Sequence, residues 1–262
     1  MANYISKFNP MSNETPIIWF ESIDSTNLEA RRNMSDIDKM TVYAAKFQTA
    51  GRGQRGNKWL SSAGENLTFS IAVKPDDKIL PVLQASEQFL ISVVSTLTIA
   101  DYLDSIGIRS EIKWPNDIYV RNKKICGMLI ENGIGSQGLS SSIIGIGLNL
   151  NQTEFSPELM NPTSVRLISG LQISPEAALP EIIALFSKRA SQLFSPGGKE
   201  VLVNDFERRM YRRGLQCRYR DNISEEEFTG TIKGISEEGL LLMEMPDNKL
   251  RKYSFKEVSY II

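Results

Sequence analysis

Gly51-Arg52-Gly53-Gln54-Arg55-Gly56-Asn57-Lys58-Trp59 decides how this chain is read. Three glycines, three cations and a closing Trp fall within nine positions. Glycine lets the backbone reach positive φ and come close to a ligand. Arginine offers a rigid fork of donors that matches phosphate and carboxylate. The stretch reads as a flexible cover that wraps an anionic ligand after it arrives, with Trp59 as the plate that closes it down. Gly/Arg segments also occur in disordered RNA-binding tails and as solvated turns. The flanks argue against a tail, because Val42-Tyr43-Ala44-Ala45-Lys46-Phe47 and Leu67-Thr68-Phe69-Ser70-Ile71-Ala72-Val73 both have the composition of strands. The loop is therefore held at both ends inside a globular domain, where such connections tend to carry function.

Composition narrows the choices. Of 262 residues, 41% are hydrophobic and 23% charged, as in ordinary globular proteins. Thirty Lys and Arg face 31 Asp and Glu, a balance unlike that of a general nucleic-acid binder. No apolar run reaches the roughly 18 residues of a membrane span, and the first residues lack a signal peptide's apolar core. Cys126 and Cys217 form no metal or redox motif, so a reducing cytoplasm is the expected setting. The chain contains no histidine. That excludes Ser-His-Asp and Cys-His catalysis and the common His-based zinc sites. An enzyme with this composition must work by positioning and fixed charge, or move protons with Lys, Asp or Glu.

Outward from the loop, Pro16-Ile17-Ile18-Trp19-Phe20 reads as a strand, and Asp24-Ser25-Thr26-Asn27 as a helix entry. Such an entry also offers unpaired N–H groups to an anion or carbonyl. Residues 85–106 form a core-packing helix from their three- and four-residue apolar spacing, with Gly107 as its stop. In residues 111–120, Pro115 interrupts a strand pattern, which predicts an edge, a bulge or a kink with Asn116 and Asp117 beside it. Residues 125–131 and 140–149 read as apolar strands. Gly145 and Gly147 within the second signal close approach by a ligand or another backbone. Helices are expected over 175–195 and 204–213, ended by Gly214. Short strands at 215–220, 227–235, 239–245 and 249–255 then suggest a small barrel, with a domain boundary near 213.

The polar residues at strand ends and loops are rich in cations and amides and poor in acids: Ser25, Thr26, Asn27, Gln48, Arg52, Arg55, Asn116, Asp117, Lys123, Lys124 and Glu131. No close acid pair suggests glycoside chemistry. The set suits a nucleotide phosphate, with Asp117 available to Mg²⁺. With neither nucleophile nor His base, the fitting reaction is attack on an activated phosphate by a substrate's own carboxylate. Taken singly, Lys123-Lys124 reads as a solvated turn and Asn116-Asp117 as a turn or cap. Arg52 and Lys124 are read as cations without an acidic partner in their motifs.

The ordered set resembles the biotin protein ligase family. The residues that carry the resemblance are Ser25-Thr26-Asn27, Gln48 to Gly53 and on to Trp59, Lys113-Trp114-Pro115-Asn116-Asp117, Lys124 with residues 127–131, and Gly145-Ile146-Gly147-Leu148-Asn149. It covers roughly residues 17–262. The resemblance implies an α+β fold: a mixed sheet with helices like that of class II aminoacyl-tRNA synthetases, over residues 1–213, followed by an SH3-like β-barrel over residues 214–262. It implies that biotin's carboxylate attacks the α-phosphate of ATP, with Mg²⁺, to give biotinyl-5′-AMP and pyrophosphate. The biotinyl group then passes to a specific lysine of a biotin carboxyl carrier protein.

Carried over residue by residue, the resemblance places Ser25, Thr26, Asn27 and Gln48 on biotin, with Gly51, Gly53, Gln54 and the Gly127 backbone around it. Arg52 would bridge carboxylate and phosphate, and Lys124 would stabilise charge on the reacting groups, so these two are the catalytic candidates. Arg55, Trp59, Asn116, Asp117 and Asn149 would serve the nucleotide, with Asp117 also toward Mg²⁺. Many family members carry Arg where this chain has Gln54, and often at Asn57, so either Gln54 weakens retention of the adenylate or Arg55 compensates. Some members begin with a DNA-binding winged helix. Only 24 residues precede Ser25 here, so a ligase without repressor function is expected, monomer or homodimer, with no nucleic-acid or membrane partner. The alternatives are a lipoate–protein ligase, disfavoured by the missing histidine, a transferase that consumes an adenylate without using ATP, and a binding or nucleic-acid module that keeps the pocket without turnover.

Overall fold

In Leu67–Val73 every residue is buried. A strand covered on both faces must lie inside a sheet with layers above and below it. The computed structural model, which describes residues 4–6, 15–76 and 78–261 but not the side chains of residues 4–6 and of Arg55, shows that sheet. In chain order its strands are β1 (Tyr4–Ser6), β2 (Ile17–Ile23), β3 (Met40–Gln48), β4 (Leu67–Val73), β5 (Glu111–Lys113), β6 (Asp117–Val120), β7 (Lys123–Gly135) and β8 (Gly138–Leu148). Their spatial order is β1-β2-β3-β4-β8-β7-β6-β5. Among the described strands of this sheet, only β2 and β3 pair in parallel. Helix α1 (Thr26–Arg32) packs on one face, over β3, β4 and β8. Helix α2 (Phe89–Ser105) lies on the other face with α4 (Pro175–Ser191) and α5 (Gly198–Arg208), while the short α3 (Val165–Ser169) follows the loop after β8.

Buried side chains surround α2 on every side, so it has no polar face. Its interior hydroxyls bond back one turn, Ser95 Oγ to Ile91 O at 2.7 Å and Thr98 Oγ1 to Val94 O at 2.8 Å. Such bonds let polar side chains sit in a core without an unsatisfied donor. Ser92 instead donates to Pro115 O at 2.7 Å. On the far side of α2, Arg189 of α4 grips Asp101 with two bonds, at 2.6 and 2.9 Å, and Asp205 of α5 with a third at 2.9 Å. One guanidinium thus ties three helices together.

Residues 111–120 do not form one kinked strand. The chain reverses at residues 114–116 and pairs β5 with β6 antiparallel, Glu111 against Tyr119 and Lys113 against Asp117. Proline cannot donate to a ladder, and Asn116 Nδ2 anchors the turn on Met128 O at 2.8 Å. The last helix also differs from expectation: α5 ends at Arg208 rather than 213. The Ile112 amide donates to Arg209 O at 2.7 Å and the Tyr211 amide to Ile112 O at 2.9 Å, so β5 captures the backbone that would have continued the helix.

A second, antiparallel sheet follows: β9 (Gln216–Asp221), β10 (Glu227–Ile235), β11 (Leu241–Glu244), β12 (Leu250–Tyr253) and β13 (Val258–Tyr260), in the order β12-β11-β10-β9-β13. The three-residue β13 is too short for a sequence pattern to reveal. Tyr219, Ile232, Leu241 and Met243 of this sheet belong to the same apolar cluster as the main core. Trp114 pins the two sheets together, its indole N–H donating to Gly239 O at 3.0 Å. Phe89 of α2 packs against the Gly239 turn and meets Phe206 edge-on, with ring centroids 5.6 Å apart.

Phe206 is fully buried. Replacing it with Ala removes a large side chain that the surroundings cannot fill, at a cost of about 3–5 kcal/mol. The urea midpoint of Phe206→Ala is expected to fall accordingly with an unchanged m-value, and a loss below about 1 kcal/mol would contradict this packing.

Candidate active site

One row of register partners crosses the main sheet. Ala45 pairs with Thr68, Thr68 with Gly147, Gly147 with Gly127, Gly127 with Asp117, and Asp117 with Lys113. Directly paired residues share a face. The row therefore runs from β3 to β5 with nothing larger than Thr until it reaches β6, where charge begins. Two residues along, Ser70 pairs with Gly145 and Gly145 with Leu129 on the same face. The missing side chains leave a trough, and a cavity of about 930 Å³ lies over it. That size suits a cofactor-sized ligand.

At the β3–β4 end, short polar side chains form a closed network. The Thr26 amide donates to Gln48 Oε1 at 2.9 Å, and Thr26 Oγ1 lies 3.2 Å from the same oxygen. Ser70 Oγ sits 2.7 Å from Thr26 Oγ1 and 2.6 Å from Asn27 Oδ1. Asn27 Nδ2 donates to Glu131 Oε2 at 2.9 Å and to Leu129 O at 3.2 Å. Ser25 stands at the N-cap of α1 with extended dihedrals, yet its hydroxyl makes no capping bond. It is buried and faces the cavity. The free α1 amides expected at this entry are thus partly consumed, since Gln48 takes that of Thr26. Ser70 belongs to this network but to none of the sequence motifs. Its signal is present, since Thr68 and Ser70 alternate within an otherwise apolar buried strand.

The glycines of β8 admit side chains rather than backbone. A Cβ at Gly145 would overlap the Asn27 carboxamide, and one at Gly147 would overlap the indole of Trp59. A Cβ at Gly127 would lie 2.8 Å from Lys124 Cε and 3.0 Å from Trp59 Cζ3. The Trp59 ring therefore lies over the Gly147–Gly127 pair, with its buried indole N–H left without a partner. The loop that carries it is less slack than its composition suggests. The Trp59 amide donates to Gly51 O at 3.0 Å and the Gly53 amide to Asn57 O at 2.7 Å, and Arg52 bridges Lys58. Residues 51–59 form a small hairpin, and at its base the Ala50 amide is tied to Asp24 O at 2.9 Å. Gly56 turns it at φ +78°, a region that favours glycine.

Both cations read as unpartnered have carboxylates. Arg52 meets Glu131 at 3.4 Å, and Lys124 meets Asp117 at 2.8 Å. Glu131 also takes Arg31 and the Asn27 amide, so it organises the trough's edge, a role that only the β7 register reveals. Gln54 Nε2 reaches Met128 O at 3.4 Å, the carbonyl that Asn116 also uses. Asn149 lines the cavity, but its side-chain amide is spent on Thr163 O at 2.9 Å, which fixes the loop before α3. The Arg55 side chain lies outside the described residues.

Among the described residues no group of three His, Cys, Asp or Glu could cage a metal. Asp117 is the register partner of Gly127. One carboxylate together with substrate phosphates is the usual way Mg²⁺ is held, so the residues present fit a metal that arrives with a nucleotide. Cys126 and Cys217 are both free. Among the described residues, no helix is long and apolar enough to cross a membrane.

A family model described as the biotin/lipoate A/B protein ligase family matches residues 19–149. The bifunctional ligase/repressor BirA of Bacillus spizizenii is 30% identical over 242 residues, spanning 91% of this chain and 72% of that protein. The biotin–[acetyl-CoA-carboxylase] ligase of Paracoccus denitrificans is 29% identical over 230 residues, spanning 85% and 92%. A biotin protein ligase from Aquifex aeolicus, solved in complex with biotin and ATP, superposes with a TM-score of 0.73 at 28% identity, over 93% of this chain and 97% of that one.

If Trp59 rests on the glycine pair, Gly147→Ala must displace it. Intrinsic emission is expected to shift to the red in Gly147→Ala, and not to shift when the same change is made in a Trp59→Phe background. Unchanged emission in the first variant would contradict the seating of the ring.

Proposed function

This chain belongs to the biotin/lipoate A/B protein ligase family, and from that premise we propose that it activates biotin with ATP and transfers it to a lysine of an acceptor protein. The observation that carries the reading is the row itself. It joins a hydroxyl-and-amide cradle, a glycine floor under Trp59, and the Lys124–Asp117 pair within one cavity.

Ser25, Thr26, Asn27 and Gln48 hold biotin at the β3–β4 end, with Gly51, Gly53 and Gln54 in the hairpin above and the Gly127 backbone below. Arg52 leaves Glu131 for the incoming carboxylate and α-phosphate. Their 3.4 Å separation is loose, and a phosphate offers a stronger bidentate partner. A biotin carboxylate oxygen bonds to the α-phosphorus as the bond to pyrophosphate breaks. Lys124, extended over Gly127, stabilises the charge on the reacting oxygens. Asn116 and Asp117 serve the nucleotide side with Trp59, Asn149 supports it by fixing the loop at Thr163, Arg55 is assigned to the nucleotide from its place in the motif alone, and Asp117 is the group offered to Mg²⁺. In the second step the acceptor amine attacks the acyl carbon, an amide forms and AMP departs. Alignment and fixed charge carry both steps, as a chain without histidine requires.

The acceptor on this reading is a biotin carboxyl carrier protein, supported by the name of the Paracoccus relative. Residues 1–213 make the catalytic unit and 214–262 the second sheet. The near-equal charge count supports a protein acceptor over a nucleic-acid partner, and two free cysteines suit a reducing cytoplasm.

Biotin-dependent ATP–pyrophosphate exchange, run beside lipoate and octanoate, tests the reading. Exchange with biotin alone is expected, and exchange with none of the three would remove the ligase assignment. Arg52→Ala and Lys124→Ala are each expected to lose about 3 kcal/mol of transition-state stabilisation, roughly a hundredfold in rate. Each change also leaves a carboxylate facing an incoming anion. Near-normal exchange in either variant would sink that residue's role.

A further inference from the structure

Ser70 has no task in the steps above. It is fully buried in β4 and does not line the cavity, yet its hydroxyl joins Asn27 and Thr26, which do. Counting protons shows what it does there. Asn27 Nδ2 meets two oxygens, Glu131 Oε2 at 2.9 Å and Leu129 O at 3.2 Å. A backbone carbonyl only accepts, and so does a carboxylate that faces Arg31 and Arg52. The nitrogen of the Asn27 amide therefore faces these two oxygens, and Oδ1 faces Ser70. Oδ1 has no proton to give, so the Ser70 hydroxyl donates to it at 2.6 Å. A hydroxyl has one proton. The 2.7 Å contact between Ser70 Oγ and Thr26 Oγ1 is then bridged by the proton of Thr26.

The direction of that last bond decides what the cavity offers. The Thr26 proton is spent on Ser70, so it serves neither Gln48 Oε1, 3.2 Å away, nor a ligand. Gln48 Oε1 already accepts the Thr26 amide, which leaves Gln48 Nε2 as a donor with no partner among the described residues. Thr26 Oγ1 and Gln48 Oε1 thus stand side by side as two acceptors, an arrangement that is unfavourable until a donor joins them. A head group with an N–H next to a carbonyl meets both demands, the N–H on the acceptors and the carbonyl on Gln48 Nε2.

We propose that Ser70, oriented by Asn27, is a positioning residue that holds the Thr26 proton away from the cavity, so that Thr26 Oγ1 meets the ligand only as an acceptor and selects a head group bringing an N–H to it. This rests on the reading of the ligand as biotin, whose urea ring carries such N–H groups; the dithiolane ring of lipoate carries none. Asn27, with its nitrogen given to Glu131 and Leu129, then serves the biotin end through Ser70.

Ser70→Ala removes the acceptor and frees the Thr26 proton to turn toward the cavity. Binding is measured by calorimetry with biotin and with the two lactam analogues in which one ring N–H is replaced by CH₂. The unaltered chain is expected to bind one of the two lactams at least tenfold more weakly than biotin. Ser70→Ala is expected to weaken biotin at least tenfold and that lactam no more than twofold, with KM for ATP in the exchange assay within twofold. In a Thr26→Val background, Ser70→Ala is expected to change biotin affinity less than twofold. Equal loss of biotin and both lactams, as general loosening of β4 would cause, overturns the proposal, as do unchanged biotin affinity and losses that add in the double variant. Should Ser70→Ala fail to fold, Asn27→Ala tests the same relay with Ser70 in place. It releases the Ser70 proton toward Thr26 and is expected to weaken biotin more than the lactam, and equal weakening overturns the proposal. Absence of biotin binding by the unaltered chain instead removes the ligase reading.

Discussion

The contact on which the site depends is the packing of Trp59 and Lys124 onto two glycines paired across β7 and β8. Glycine weakens a strand, because it orders at greater entropic cost and packs nothing. Here that weakness falls in the middle of an eight-stranded sheet, where β4 and β6 hold the pair from either side. The volume left vacant becomes the trough. Asn27 enters it over Gly145, Trp59 over Gly147, and the end of Lys124 over Gly127. A side chain at any of these positions would overlap the group now seated over it.

Charge is arranged along the same line. Small hydroxyls and amides occupy one end, and Asp117, Lys124 and Lys113 the other, with the hairpin of residues 51–59 lying across the middle. Arg52 and Lys124 are each held by one carboxylate, in partly exposed pairs of the kind that contribute little to stability. Such pairing keeps the cations in place and lets a phosphate or a ligand carboxylate compete for them. On the proposed function it also suits a chain with no histidine, where preset charge would take the place of a histidine proton relay.

Much of this was legible in the order of residues, and the remainder depended on register. Residues 67–73 and 227–235 read as strands with the bounds the structure shows, because alternation and turn residues are local signals. The glycine–arginine loop, the Ser25-Thr26-Asn27 entry and Lys124 were visible as chemistry. What the sequence could not reveal was which of them meet. Glu131 as partner of Arg52, Gln48 as acceptor for the Thr26 amide, and Trp114 as the pin between sheets are contacts across 79, 22 and 125 residues. The loop's composition suggested slackness, while its backbone bonds make it a hairpin. Pro115 suggested a kink, while pairing of the two short strands around it makes a reversal.

On the proposed function, one trough carries a carboxylate and a nucleotide end to end and joins them. A single-turnover experiment addresses this most directly: the chain is mixed with biotin, ATP and Mg²⁺ but no acceptor, and the bound species are separated and weighed. One equivalent of biotinyl-adenylate per chain is the expected result, vanishing when acceptor is added as a single lysine gains the biotinyl mass. ATP turnover with no acyl-adenylate formed, or an adenylate that never reaches the acceptor, would contradict it.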